Sequence, residues 1–239
     1  MIGSFLELSV PTRDVAAALE FYESLGFVQA AVGEAWPHPY AVVTDGRVNI
    51  GLHGADLDGP LLTFVAPGLA MQLAKLETLG IEPERVRLDE MSLNEATFPD
   101  PSGQRVRLLE ARTFSPPALA PGHESALGYF EECVLGCATP AAAARFWEAL
   151  GFVAFIAEDD AAGPALATHR DLNLAFHDAD LGMPVLRFTS VDAAARIDRL
   201  RERGGFSFTR RVPRSLQSDG AALLQAPDGV LLLLAQAEG

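Results

Sequence analysis

The sequence predicts an α+β protein of four βαβββ units arranged in two tandem domains. Three observations carry that prediction. First, RVNIGLHGADL at 47–57 returns as DLNLAFHDADL at 171–181, aligning Asn49 with Asn173 and His53 with His177 at an offset of 124. Second, EFYESLGFV at 20–28 returns as RFWEALGFV at 145–153, and LETLG at 76–80 as LRERG at 200–204, at nearly the same offset. Third, FPDPSGQRVRLLE at 98–110 is answered by QAPDGVLLLLAQ at 225–236. Self-similarity on this scale is a duplicated domain of about 110 residues. The expected boundaries are 1–113 and 127–239. Residues 114–126 form the linker, whose core SPPALAPGHES has the proline and small-residue content of a connection.

Each element has a local reason. LELSVP alternates, with Leu6, Leu8 and Val10 on one face and Glu7, Ser9 and Pro11 on the other, as a half-buried strand requires. Asp14 then caps a helix from Val15 to about Leu25, and Gly26 stands where such a helix ends. The second copy uses Thr139 as cap, Pro140 in the first helical position and Gly151 as stop. YAVVTD and RVNIGLH read as the next strands of the first copy. The pattern then restarts with PLLTFV as strand, LAMQLAKLETLG as helix, and two or three strands ending in QRVRLLE. Pro-Asp-Pro-Ser-Gly at 99–103 and Ala-Pro-Asp-Gly at 226–229 are turn sequences before the last strands. Phe21-Tyr22 and Phe146-Trp147 lie on helices and are assigned to the core.

Composition narrows the function classes. The formal net charge of −14 disfavours nucleic acid as a partner, because polyanions are repelled. No apolar run approaches the ~20 residues of a membrane-spanning helix. MIGSFLELSV lacks the basic and apolar regions of a secretory signal, so a cytoplasmic location is expected. Cys133 and Cys137, on one face of a strand, stand about 13 Å apart at ~3.3 Å per residue, too far for a disulfide. Both are expected to be small buried apolar residues.

A strand, a capping Asp, a helix carrying Phe-Tyr and Leu-Gly-Phe, and a later Asp-Pro-x-Gly before a final strand resemble the vicinal oxygen chelate superfamily. It includes glyoxalase I, bleomycin-resistance proteins, fosfomycin-modifying enzymes and extradiol dioxygenases. The resemblance covers nearly the whole chain, twice, and implies paired βαβββ units whose sheets curl around a cup. It also implies four strand positions for a divalent metal, which here fall on Glu7, Gly51, Leu61 and Arg107 in the first copy. In the second copy they fall on Glu132, Ala175, Val185 and Leu233. One potential ligand of four remains in each, where a catalytic metal needs about three protein ligands. The expectation is therefore no cofactor and no divalent metal.

The candidate site residues follow from alternation. His53 and Asn49 share the cup side with Glu7, as His177 and Asn173 do with Glu132. Glu7 with His53 could act as an acid–base pair, or the histidines could close turns by hydrogen bonds. The inward carboxylates could be functional or paired with Arg107. Trp36-Pro37-His38-Pro39-Tyr40 has no counterpart in the second copy and reads as a wall over an apolar ligand, or as a surface loop. The expected ligand-binding set is Glu7, Trp36, His38, Tyr40, Asn49, His53 and Arg107, with Glu132, Asn173 and His177 in the second copy. The leading function is a metal-independent binding protein that sequesters an antibiotic or metabolite, as a monomer or homodimer. The alternative is a lyase, isomerase or dioxygenase-type enzyme using Glu7 and His53, with or without a metal.

Overall fold

The computed structural model describes residues 2–33, 36–88, 93–111, 119, 122–157, 163–209, 212–218 and 220–237. Most of the expected linker lies outside them. The first copy runs β1 (Ser4–Pro11), α1 (Val15–Ser24), β2 (Val28–Ala30), β3 (Tyr40–Thr44) and β4 (Asn49–His53). It continues through β5 (Leu61–Ala66), α2 (Leu69–Thr78), β6 (Arg85–Arg87), β7 (Glu95–Pro99) and β8 (Arg105–Glu110). The second begins with β9 (Tyr129–Gly136), α3 (Pro140–Ala149), β10 (Val153–Phe155), β11 (Ala165–Thr168) and β12 (Asn173–His177). It ends with β13 (Val185–Ser190), α4 (Ala193–Arg203), β14 (Ser207–Phe208), β15 (Ala222–Gln225) and β16 (Leu231–Gln236).

The strand orders are β2-β3-β4-β1-β5-β8-β7-β6 and β10-β11-β12-β9-β13-β16-β15-β14, the same permutation twice. The fold is thus the expected α+β duplication, with two open sheets. The short β2 and β10 were not located individually from sequence. Asp14 caps α1 by accepting from the Ala17 amide at 3.0 Å, and Gly26, at φ +88°, follows the helix end. Thr139 makes no side-chain cap bond, so α3 starts on the pre-set φ of Pro140. Cys133 and Cys137 are both free and buried. Among the described residues no helix is long and apolar enough to cross a membrane.

One continuous apolar core spans both copies, joining Leu8, Ile50 and Phe64 of the first with Leu174, Phe176 and Phe188 of the second. The helix rings assigned to the core also hold the copies together. Tyr22 donates to the Asp228 carboxylate at 3.1 Å, and Trp147 Nε1 donates to Asp100 at 2.9 Å. Each ring reaches a carboxylate in the other copy's turn before its last strand, buried for Asp100 and half-buried for Asp228, so desolvation there is met by a hydrogen bond.

The repeated asparagines have a structural role. In β1 the register against β5 slips between Phe5 and Glu7, leaving Leu6 as a bulge residue. Asn49 Nδ2 donates to the bulged Leu6 carbonyl at 2.8 Å. The same slip occurs in β9 at Glu131, whose carbonyl accepts from Asn173 Nδ2 at 3.0 Å. A bulge removes a ladder bond, and each asparagine replaces it. Asn49→Ala should cost about 1–2 kcal/mol in urea unfolding, since it removes the side-chain donor of a half-buried carbonyl. An unchanged midpoint would show that water serves that carbonyl equally well.

Candidate functional site

The helix-distal face of each sheet carries the candidate residues, and the two faces differ. In the first copy the four central strands stand β4-β1-β5-β8. Ser9 pairs with Gly51 and with Leu61, Glu7 with Thr63, and Thr63 with Arg107. Strand alternation therefore gathers Glu7, Ser9, Gly51, His53, Thr63 and Arg107 onto one face. Glu7, Ser9, His53 and Thr63 are fully buried and Arg107 is nearly so.

Burying that much polarity requires partners, and all of these groups have them. The Glu7 carboxylate accepts from Ser9 Oγ at 2.6 Å, from the Tyr40 hydroxyl at 2.5 Å and from His53 Nε2 at 2.8 Å. Arg107 donates through Nη2 to Ser9 Oγ at 2.7 Å and through Nε to Thr63 Oγ1 at 3.2 Å, with Nη2 3.9 Å from Glu7. Ser9 and Thr63 are bonded to each other at 2.7 Å. His53 Nδ1 lies 3.0 Å from His38 Nε2. Trp36 stacks on His38, with ring centroids 5.6 Å apart, and holds the Arg107 guanidinium 4.8 Å from its own centroid.

Electrostatics follow from these contacts. Burial pushes the Glu7 carboxyl up, but His53 and the hydrogen bonds from Ser9 and Tyr40 outweigh it and hold it below the ordinary carboxylate range. Burial, then the Glu7 charge and hydrogen bond, drive the Tyr40 hydroxyl far upward, so it remains a donor. Burial lowers His38, with His53 and Arg107 adding to the effect. Burial also lowers Arg107, with Glu7 opposing, though a guanidinium stays charged near neutrality.

Gly51 has a steric reason to be glycine. A Cβ there would stand 2.2 Å from Glu7 Cδ and 2.3 Å from each carboxylate oxygen. Glu7 thus lies over the strand position where the resemblance puts a second metal ligand.

A groove of about 740 Å³ opens on the other side of Arg107, lined by Leu61, Arg85, Glu95, Thr97 and Arg105 among others. Arg105 is held beside it by Asp58 at 3.4 Å and Glu84 at 3.5 Å. Among the described residues, Arg107 Nη1 has no protein partner.

The second copy uses its corresponding face differently. Ala175 stands where Gly51 does, which denies Glu132 the same seat. Glu132 instead pairs with Arg187 at 3.2 Å, Arg187 being the counterpart of Thr63. The arginine has moved one strand over, from β8 to β13. Leu233 stands where the first copy has Arg107, and Arg187 supplies the charge of this face from the neighbouring strand. His177 makes no bond to Glu132; burial lowers it, with Arg187 adding to the shift. Burial raises Glu132 against the opposing Arg187 charge. The rest of the face is a separate apolar cluster of Val134, Ala175, Val185, Leu223 and Leu233, capped by Leu216 from a 3-10 turn at Arg214–Leu216. Among the described residues, the corresponding space in the first copy is the groove beside Arg107.

Of the sequence-predicted set, the structure brings together Glu7, Trp36, His38, Tyr40, His53 and Arg107. Asn49 and Asn173 are turned to the bulges instead. Glu132 and His177 share a face without touching. Sequence reasoning missed Thr63, Arg187 and the groove arginines Arg85 and Arg105. The signal for Arg187 was present, as a charged residue in VLRFT two places after Val185 and hence on the same face.

The donor set does not fit a divalent metal. At the four implied positions Gly51 and Leu61 offer no donor and Arg107 presents a cation, while the Glu7 oxygens already accept three hydrogen bonds. Among the described residues no group of three His, Cys, Asp or Glu side chains could hold a metal ion.

No protein-family model matches the sequence, and no curated protein matches it significantly. Solved structures do match. The 2,3-dioxygenase LapB from Pseudomonas sp. KL28 aligns with 100% of this chain and 94% of its own, at 17% identity and TM-score 0.63. A catechol 2,3-dioxygenase aligns over 98% and 88%, at 15% identity and TM-score 0.61. An E323L mutant of homoprotocatechuate 2,3-dioxygenase from Brevibacterium fuscum covers 97% and 70%, at 14% identity and TM-score 0.63. At such identities the likeness establishes the fold alone, the duplicated arrangement of βαβββ units.

Proposed function

We propose that this chain is a metal-independent small-molecule-binding protein whose working site is the helix-distal face of the first copy. The observation that carries this reading is Arg107. It occupies a strand position where the resemblance implies a metal-ligating carboxylate, and it borders a groove with Nη1 unpartnered among the described residues. A guanidinium there favours ligands bearing a carboxylate or another oxyanion, which it can hold by charge-assisted hydrogen bonds. The Trp36 ring adds apolar contact area beside it.

The test is a calorimetric and thermal-shift screen of metal-free protein against small carboxylates, phosphates and their uncharged amide or alcohol analogues. Anionic members should bind and raise Tm, without added metal. Arg107→Lys, which keeps the charge but loses the fork, should weaken them about tenfold, equivalent to ~1.4 kcal/mol. Glu132→Gln, in the plugged copy, should leave binding unchanged. Binding that requires a divalent ion, or that survives Arg107→Lys and is lost in Glu132→Gln, would overturn the reading.

A second reading is a metal-free lyase or isomerase of the same fold. It is favoured by the 2.8 Å contact between His53 and Glu7, an acid–base pair already in hydrogen-bonding range. A dioxygenase activity rests on the fold alone, and fold does not carry reaction.

A further inference from the structure

We propose that Glu7, His53 and His38 form a carboxylate–imidazole–imidazole array whose reactive atom is His38 Nδ1, a general base acting on an oxyanion-bearing small molecule anchored by Arg107. The inference rests on reading the first copy's helix-distal face as the ligand site, and it assigns the base for the second reading.

The argument starts from who can donate. Glu7 is ionised and accepts only, so His53 must present Nε2–H to it across 2.8 Å. With its proton on Nε2, a neutral His53 has a lone pair on Nδ1. The group 3.0 Å from that lone pair is His38 Nε2, which must then carry the proton between them. That leaves the second lone pair of the chain on His38 Nδ1. For the uncharged imidazole pair, hydrogen-bond logic thus assigns both tautomers from one buried carboxylate.

The rest of the nest reinforces the assignment. Ser9 and Tyr40 occupy two further Glu7 lone pairs, one on each oxygen, and hold the carboxylate toward His53. His53 has no exposure and cannot meet a ligand itself, whereas His38 is only partly buried. Pro37 and Pro39 flank His38 and restrict its backbone, and Trp36 stacks on its ring. Trp36 also contacts Arg107, so base and anion anchor stand on one indole. Among the described residues, the charged and titratable groups facing His38 are His53 and Arg107, with Glu7 behind His53 and Tyr40 beside it.

In the reaction step, a proton on the bound compound forms a bond to His38 Nδ1, and the electron pair of the broken bond stays on the compound. The resulting imidazolium donates through Nε2–H to His53, and the Glu7 carboxylate compensates its charge while remaining ionised. Arg107 stabilises the negative charge left on the compound. No oxidant, reductant or metal enters the balance.

Two measurements test this. Long-range proton–nitrogen spectra of the labelled protein at neutral pH should show His38 and His53 both protonated on Nε2, with His38 Nδ1 bare. A proton on His38 Nδ1 would overturn the array. Reactivity is read with two activated esters, neutral p-nitrophenyl acetate and anionic p-nitrophenyl succinate: His38 Nδ1 takes a proton from water, the water oxygen bonds to the carbonyl carbon, and p-nitrophenolate leaves and is measured. The wild type should hydrolyse both faster than buffer. His38→Asn should remove the excess rate, and Glu7→Gln should lower it about tenfold and change its pH profile while Nε2 protonation of His53 weakens. The succinate ester should be preferred, and Arg107→Lys should erase that preference alone. If His38→Asn is silent, the base inference fails while the site stands. If both esters react equally and Arg107→Lys changes nothing, the anionic-ligand site fails.

Discussion

Gly51→Ala should destabilise the folded chain by about 3 kcal/mol, read as a shift of the urea midpoint. The added methyl would sit 2.2–2.3 Å from the Glu7 carboxyl atoms, nearer than any real contact. Elsewhere a flexible side chain would swing aside, but Glu7 is held by Ser9, Tyr40 and His53 and is surrounded by buried groups. Moving it breaks charge-assisted bonds worth ~1.5–3 kcal/mol each. The second copy shows the alternative: with Ala175 in this place, its glutamate pairs one strand away with Arg187. A double variant, Gly51→Ala with Glu7→Ala, should be less destabilised than the sum of the two single changes, because the clash disappears with the carboxylate. A single variant as stable as the wild type would mean that the nest is loose, and would weaken every argument built on its geometry.

Glu7→Gln should cost ~3–5 kcal/mol at neutral pH, because it leaves the buried Arg107 guanidinium without its carboxylate neighbour. The effect should depend on pH in a defined direction. The folded-state pKa of Glu7 lies below its ordinary value of 4.5, so its contribution is fully present above 4.5. It is lost as pH falls through the lower folded value. The unfolding free energies of wild type and Glu7→Gln should therefore differ most above pH 4.5 and converge in more acidic buffer. A gap that stays constant from neutral pH into acid would show that packing, not charge, dominates at this position.

Much of the architecture was legible in the sequence because it depends on local periodicity and on duplication. Alternation in LELSVP put Glu7 and Ser9 together opposite Leu8 and Val10, and the structure keeps that division. Asp14 and Pro140 mark helix starts whose physics lies within one turn of chain. The repeated offset named equivalent strands, and both sheets adopt the same strand order. The clustering of Glu7, His53 and Arg107 followed from the same alternation once the strands were known to be neighbours.

What only the tertiary structure decided is where each polar group finds its partner. Asn49 shares a face with His53 in the one-dimensional pattern, yet a bulge at Leu6 turns it into a backbone ligand, and no local signal announces the bulge. His53 and His177 occupy equivalent places in the repeat. One is bound to a buried carboxylate and the other is not, because Gly51 admits Glu7 and Ala175 excludes Glu132. The second copy's arginine sits on β13 instead of β8, so its charge balance is visible only across strands. The plug of Leu216 comes from a segment 41 residues after the Ala175 it covers. Periodicity reports which way a side chain faces; the free energy of burying it depends on atoms that the fold brings from elsewhere in the chain.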